Sequence, residues 1–276
     1  MPTRPLAVHI PDGSPFEQAL ARVTHLGVVA HPDDLEMLAL PMIAHCRDRS
    51  DAWFGGIVCT DGAGRPTLAD DASGSERSEV ASIRWAEQCA AADIGRYAVV
   101  IGLGHPSADV IDDGGTGLVR ELAPLLAAGG ASTVVTHNPA DRHRTHVAVC
   151  RATIDALRDI EADPESTKVL GIEGWGDLDW LVDDDKVRLD CSDATDLAAE
   201  LVACFPSQLR HKRYDLAAEG RRRANATLAE PRADDCGTES VTGIDLSPLL
   251  GGTEDLASFT LAHIERFRGE VERRLR

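Results

Sequence analysis

"HLGVVAHPDDLEML", residues 25–38, is the stretch on which the fold turns. Residues 26–30 form an unbroken apolar run, and the paired valines favour a strand. A strand apolar on both sides is covered on both faces, as in a parallel sheet. After His31 and Pro32 the chain turns polar, and a helical pattern begins near 35 and extends to about 49. Three further runs behave in the same way: "WFGGIVCT" (53–60), "YAVVIGL" (97–103) and "STVVTH" (132–137). Helical patterns near 75–93, 115–128 and 145–160 separate or follow them. Alternating strands and helices joined by right-handed crossovers predict an α/β, Rossmann-like three-layer fold with a doubly wound, mostly parallel sheet.

The rest of the chain is less regular. "KVLGIEGWG" (168–176) reads as a strand and "VRLDCS" (187–192) as a short one. Helical patterns cover 193–204 and 207–229, and Pro206 interrupts them because it cannot continue a helix interior. Residues 230–243 read as loop, and 254–275 as a closing amphipathic helix. No repeat and no long linker divides the chain. One domain over 1–276 is expected, with a Rossmann-like core over about 22–176 and C-terminal helical and strand additions over about 177–276.

Composition narrows the partners. The 276 residues carry a formal charge of -18, which repels phosphate backbones and anionic membranes. No apolar run approaches the ~20 residues of a membrane span. Nucleic acid and membrane are therefore not expected partners. Seven cysteines (46, 59, 89, 150, 191, 204 and 236) form no C-x-x-C pair and sit mostly among apolar neighbours. With no signal-peptide core near the start, this predicts a reducing, cytoplasmic location. The closing helix offers an apolar stripe for its own core or for a homo-oligomer.

Two segments carry chemistry. His31-Pro32-Asp33-Asp34 follows one strand, where ligands bind in open parallel sheets. A turn explains proline and aspartate but does not require the histidine. "THNPADRHRTHVAV" (136–149) follows another strand, opens a helix, and brings His137, Asp141, His143 and His146. His143 and His146 are three apart and share a face of a first helical turn. Imidazole nitrogens and carboxylate oxygens at one sheet edge, with no cysteine, suit a catalytic Zn²⁺. Two histidines and one aspartate leave an open position for water, and the remaining carboxylate can serve as general base. Fe²⁺, Co²⁺ or Mn²⁺ can use the same donor set.

"AHPDDLE" (30–36) followed by "THNPADRHRTH" (136–146) resembles the PIG-L/LmbE-like family of zinc-dependent de-N-acetylases. "CTDGAG" (59–64), "RWAEQCAAADIG" (84–95), "IEGWGDLDWL" (172–181) and "PSQLRHKRYDLAAEGRRRANA" (206–226) are similar to further family segments. The resemblance covers most of the chain. It implies a hydrolase that removes acetyl from N-acetylglucosamine-type sugars or related small molecules. It also implies His31, Asp34 and His146 as zinc ligands and Asp33 as general base. His143 then stabilises the developing oxyanion in its protonated form, or protonates the amine. Asp141 supports the second loop, and Arg84 either binds sugar hydroxyls or makes a surface ion pair. His105, in "GLGHPS" (102–107), is a candidate substrate contact on a rim loop. Alternatives are an amidase acting on a larger thiol–sugar conjugate and a noncatalytic sugar- or metabolite-binding module.

Three departures from the family pattern bear on the pocket. Thr145 stands where many members have aspartate, so His143 must be held in another way. "LALP" (38–41) replaces a glycine pair, and Pro41 should end or kink the first helix early. The acidic residue after the aspartate pair comes one place later, as Glu36. Trp175 and Trp180 can stack on a sugar or pack into the core.

Overall fold

The structure is a computed structural model that describes residues 7–64, 73–210, 212–230, 234–235 and 237–276. Cys236 and His211 lie outside the described residues. In chain order the elements are β1 (Ala7–His9), α1 (Phe16–Ala21), β2 (His25–Val29), α2 (Asp34–Leu38), α3 (Leu40–Arg47), β3 (Phe54–Thr60), α4 (Gly74–Gly95), β4 (Val99–His105), α5 (Ser107–Asp112), α6 (Thr116–Gly129) and β5 (Thr133–His137). They continue with α7 (Arg144–Asp159), β6 (Lys168–Ile172), β7 (Lys186–Asp190), α8 (Thr195–Val202), α9 (Pro206–Leu209), α10 (Tyr214–Thr227), β8 (Ser240–Asp245) and α11 (Leu256–Arg274).

The eight strands form one sheet in the order β1-β4-β3-β2-β5-β6-β8-β7. The central five pair in parallel, β4-β3-β2-β5-β6. Both edges are antiparallel: β1 pairs β4, and β8 pairs both β6 and β7. Alternate residues of each central strand feed two separate cores. Val28, Ile57, Ile101 and Val134 pack on one face with α1, α6 and α7. Val29, Val58, Val100 and Val135 pack on the other with α2, α3, α4 and α8. The continuous apolar runs are thus two period-2 patterns superimposed, and the three-layer Rossmann-like expectation holds.

The chain runs from β2 outward through β3 to β4, then crosses back to place β5 against the other side of β2. The direction of winding therefore reverses between β2 and β5. Loops leaving these two strands diverge at their carboxyl ends, which opens a crevice there.

Several elements differ from the sequence reading. The first helix divides at Ala39 into α2 and α3, with Pro41 in the first turn of α3, where its missing N–H costs nothing. The helical pattern of 207–229 divides into α9 and α10, and Pro206 opens α9. The strand at 168–176 stops at Ile172. Residues 240–245, expected in a loop up to 243, form β8, which joins β7 to the sheet. "GLGHPS" is not a rim loop: β4 continues to His105 and α5 begins at Ser107. β1 and α1 were not anticipated. Among the described residues no helix is long and apolar enough to cross a membrane.

Candidate metal centre and pocket at the switch point

The first half of the site is the turn after β2. Asp33 has φ 94°, a left-handed conformation that costs a non-glycine residue about 1 kcal/mol or more. Its neighbours hold it there. The Asp33 N–H donates to Gln88 Oε1 (3.2 Å), and Gln208 Nε2 donates to the Pro32 carbonyl (2.9 Å). Gln88 in turn donates to Glu36 Oε1 (2.8 Å), which also accepts from Tyr97 Oη (2.7 Å). Glu36 is fully buried, and burial pushes its pKa up to about 7 against these two bonds. The displaced acidic residue of the motif thus supports the turn from beneath.

The second half is the loop from β5 to α7. His137 ends β5, and His146 lies in the first turn of α7. Asp141 spans the loop: Oδ1 accepts the His143 N–H (2.8 Å) and Oδ2 the Trp175 N–H (3.1 Å). Asp141 Oδ2 also lies 3.4 Å from His146 Nδ1, which leaves Nε2 of that ring facing the first half. Burial works against the Asp141 charge, but His146 and the His143 N–H hold its pKa below the usual carboxylate range.

The halves meet over short distances. Asp34 Oδ2 lies 3.1 Å from His31 Nδ1 and 3.5 Å from His146 Nε2, and the two nitrogens are 3.3 Å apart. Donors about 2.0–2.1 Å from one tetrahedral ion lie roughly 3.3 Å from each other. The three edges therefore fit one small tetrahedral cation. The described residues contain two overlapping groups able to hold an ion, His31/His143/His146 and Asp34/His137/His146. His137 is a weak member, because its Nε2 accepts the Ala30 N–H at 2.8 Å and that lone pair is already used. Its ring stacks on His146, with centroids 3.8 Å apart. Sequence reasoning placed His137 in the cluster without a role; the bond from Ala30 shows it to be a buttress.

Charge is arranged unevenly. Burial opposes ionisation of Asp34, but His146, the His31 bond and His137 hold its pKa well below the usual range. At Asp33, burial and the Asp34 charge push the pKa well up, with Arg84 pulling in the other direction. A cation held by Asp34 opposes that rise. Arg84 is 8% exposed and donates to the Gly62 carbonyl, so it is a buried cation, not a surface one, and its charge acts on Asp33. Burial, with repulsion from His31 and His146, lowers the His143 pKa to about 4. That shift favours the neutral ring over the protonated form expected. No hydrogen bond from a described residue reaches its Nδ1 or the buried Thr145 hydroxyl, so packing against His31 (centroids 4.9 Å) holds the ring.

His105 is not brought to the pocket; its Nε2 pairs with Glu121 at 2.8 Å. Trp175, 38% exposed, lies on the pocket wall with Lys212 over its ring (4.0 Å), whereas Trp180 packs against the core. Two residues of α10, Tyr214 and Arg221, also line the pocket and carried no site signal in the sequence.

Fold and site together define an α/β protein with a histidine–aspartate centre, able to hold a cation, at the switch point of a doubly wound sheet. Residues 26–157, which supply every member of that centre, match the PIG-L family described as "GlcNAc-PI de-N-acetylase". No curated protein matches the chain. Solved structures share the fold at low identity. The conserved protein TT1542 from Thermus thermophilus is 18% identical, with a TM-score of 0.61 over 81% of this chain and 94% of its own. N,N'-diacetylchitobiose deacetylase from Pyrococcus horikoshii is 14% identical, with a TM-score of 0.61 over 87% and 96%. GalB, the 4-carboxy-2-hydroxymuconate hydratase from Pseudomonas putida, is 15% identical, with a TM-score of 0.60 over 81% and 96%. One architecture thus carries both deacetylase and hydratase chemistry, and the reaction has to be argued from the site.

Proposed function

We propose that the protein is a zinc-dependent hydrolase of non-peptide amides that removes acetyl from an N-acetylglucosamine-type sugar or a related small molecule. The observation that carries this reading is the near-tetrahedral spacing of His31 Nδ1, Asp34 Oδ2 and His146 Nε2, with a second carboxylate, Asp33, beside them. The PIG-L match and the deacetylases among the structural neighbours support the amide as the bond cleaved.

His31, Asp34 and His146 hold the ion, and Asp141 orients His146 through Nδ1. When bound, zinc supplies Lewis acidity, which acidifies water and polarises a carbonyl. Asp33 accepts the proton of the attacking water and can return it to the departing nitrogen. His143 offers a hydrogen bond to the carbonyl oxygen as negative charge grows there. Arg84 limits the cost of keeping Asp33 ionised in a buried place. Metal analysis of purified protein, joined to acetate release from a panel of N-acetylated sugars, tests the reading. One zinc per chain with acetate release is the expected result. Stoichiometric metal and no acetate from any member of the panel overturns it.

A further inference from the structure

A pocket of about 230 Å³ adjoins Asp34 and His146. Met37, Leu38, Trp175, Ala217 and Val241 make much of its wall apolar. Besides Asp34, two buried charged side chains interrupt that wall, Arg222, whose Nε donates to Glu239 at 2.7 Å, and Glu173. Glu173 directly follows β6, is 7% exposed and lines the pocket. Its Oε1 accepts the Thr242 N–H (2.9 Å) and a bond from Asn225 Nδ2. Its Oε2 is buried and receives no hydrogen bond from any described residue. Arg221 favours the Glu173 charge through space, but its guanidinium donates to the Gly174 carbonyl. A carboxylate oxygen has room for about two donors, and burying one bare is unfavourable unless a ligand supplies them.

We propose that the part of the substrate flanking the scissile amide enters this pocket as an apolar carbon framework bearing a hydrogen-bond donor, a hydroxyl or a protonated amine, and that Glu173 Oε2 accepts from that donor. This rests on the hydrolase reading of the adjoining centre. Glu173 is then a positioning residue: it fixes the framework so that the amide lies beside Asp33. A group lacking a donor leaves Oε2 unpaired and is rejected. Such sites discriminate strongly against an analogue without the bonding group.

Calorimetric titration of zinc-loaded protein tests this with three probes. Hexyl β-D-glucoside carries hydroxyl donors, hexylammonium carries N–H donors, and the per-O-methylated hexyl glucoside carries none. At least one donor-bearing probe should bind at least tenfold more tightly than the ether, and the arm that does so names the donor. In Glu173→Gln the amide oxygen can keep the Thr242 and Asn225 bonds while an NH₂ group replaces Oε2, so the advantage should disappear at unchanged zinc content. Equal binding of ether and donor probes, no binding of any probe, or full selectivity in the variant overturns the proposal. The wild-type comparison stands even if the variant fails to fold. Acetate release reads the hydrolase separately. Donor-selective binding without acetate leaves the subsite and removes the hydrolase. Acetate release with KM unchanged in Glu173→Gln does the reverse, whereas a raised KM at constant kcat supports both.

Discussion

At the scale of single residues, the proposed division of work between the adjacent aspartates rests on the backbone that separates them. Asp33 is left-handed and Asp34 starts α2, so neighbouring carboxylates enter different surroundings. Asparagine tolerates the left-handed region and keeps the shape of the side chain, so Asp33→Asn tests the chemistry without disturbing the turn. It should retain one metal per chain and lower kcat by about a hundredfold or more. Near-native turnover with metal content confirmed would remove Asp33 as the base. Glu173 gives a prediction in pH. Burial raises its pKa, against the Thr242 N–H, Arg221 and Asn225, with Asp177 adding to the rise. The folded protein then binds a proton that the unfolded chain, with a Glu pKa of about 4.3, has released. Stability falls as pH rises from that value through the raised one. The Tm of Glu173→Gln should therefore gain on wild type as pH rises above about 4.3, the unfolded-state value. A constant difference would argue against the buried charge.

At the scale of elements, the site depends on segments that sequence patterns describe poorly. The β2 turn and the β5–α7 loop were legible, because "HPDD" and "HRTH" concentrate groups that a plain turn does not need. Glu173 was not legible as a site residue. Its burial and its bonds come from Thr242 on β8 and Asn225 on α10, and β8 itself was read partly as loop. "SVTGID" is short, follows a polar run and contains Gly243, so its strand character comes from pairing with β6 and β7 rather than from propensity. His137 looked like one of several possible ligands, and only the Ala30 N–H settles how its Nε2 is used. The loop after β6 also limits what can stand beside the candidate metal centre. A Cβ built on Gly174 would lie 2.5 Å from Asp141 Oδ2 and 3.6 Å from His146 Nδ1. Gly174→Ala must therefore push Asp141 off His146. It should weaken zinc binding by about 10–100-fold in a competition titration with a chelator. Unchanged affinity would mean that Asp141 does not support the ligand.

At the scale of the whole molecule, the doubly wound sheet followed from apolar strands alternating with helices, while its antiparallel edges did not. β1 is three residues long, too short to leave a pattern. The charge of -18 also acts globally: like charges repel across a compact surface, and salt screens them over about 10 Å at 0.1 M. The Tm should rise between low ionic strength and about 0.3 M sodium chloride; a fall would place the dominant electrostatics in attractive pairs.

The strand order has a further consequence for how the chain is made. β7 pairs with β8, and β8 stands between β7 and β6. During synthesis β7 leaves the ribosome before its partner exists. The five parallel strands and the histidines and aspartates of the centre are all made by the end of β6, whereas Trp175 and Gln208, which brace Asp141 and the Pro32 carbonyl, follow it. Glu173 cannot be seated until Thr242 arrives. In a nascent chain the residues of the candidate centre therefore precede those that wall the pocket beside it.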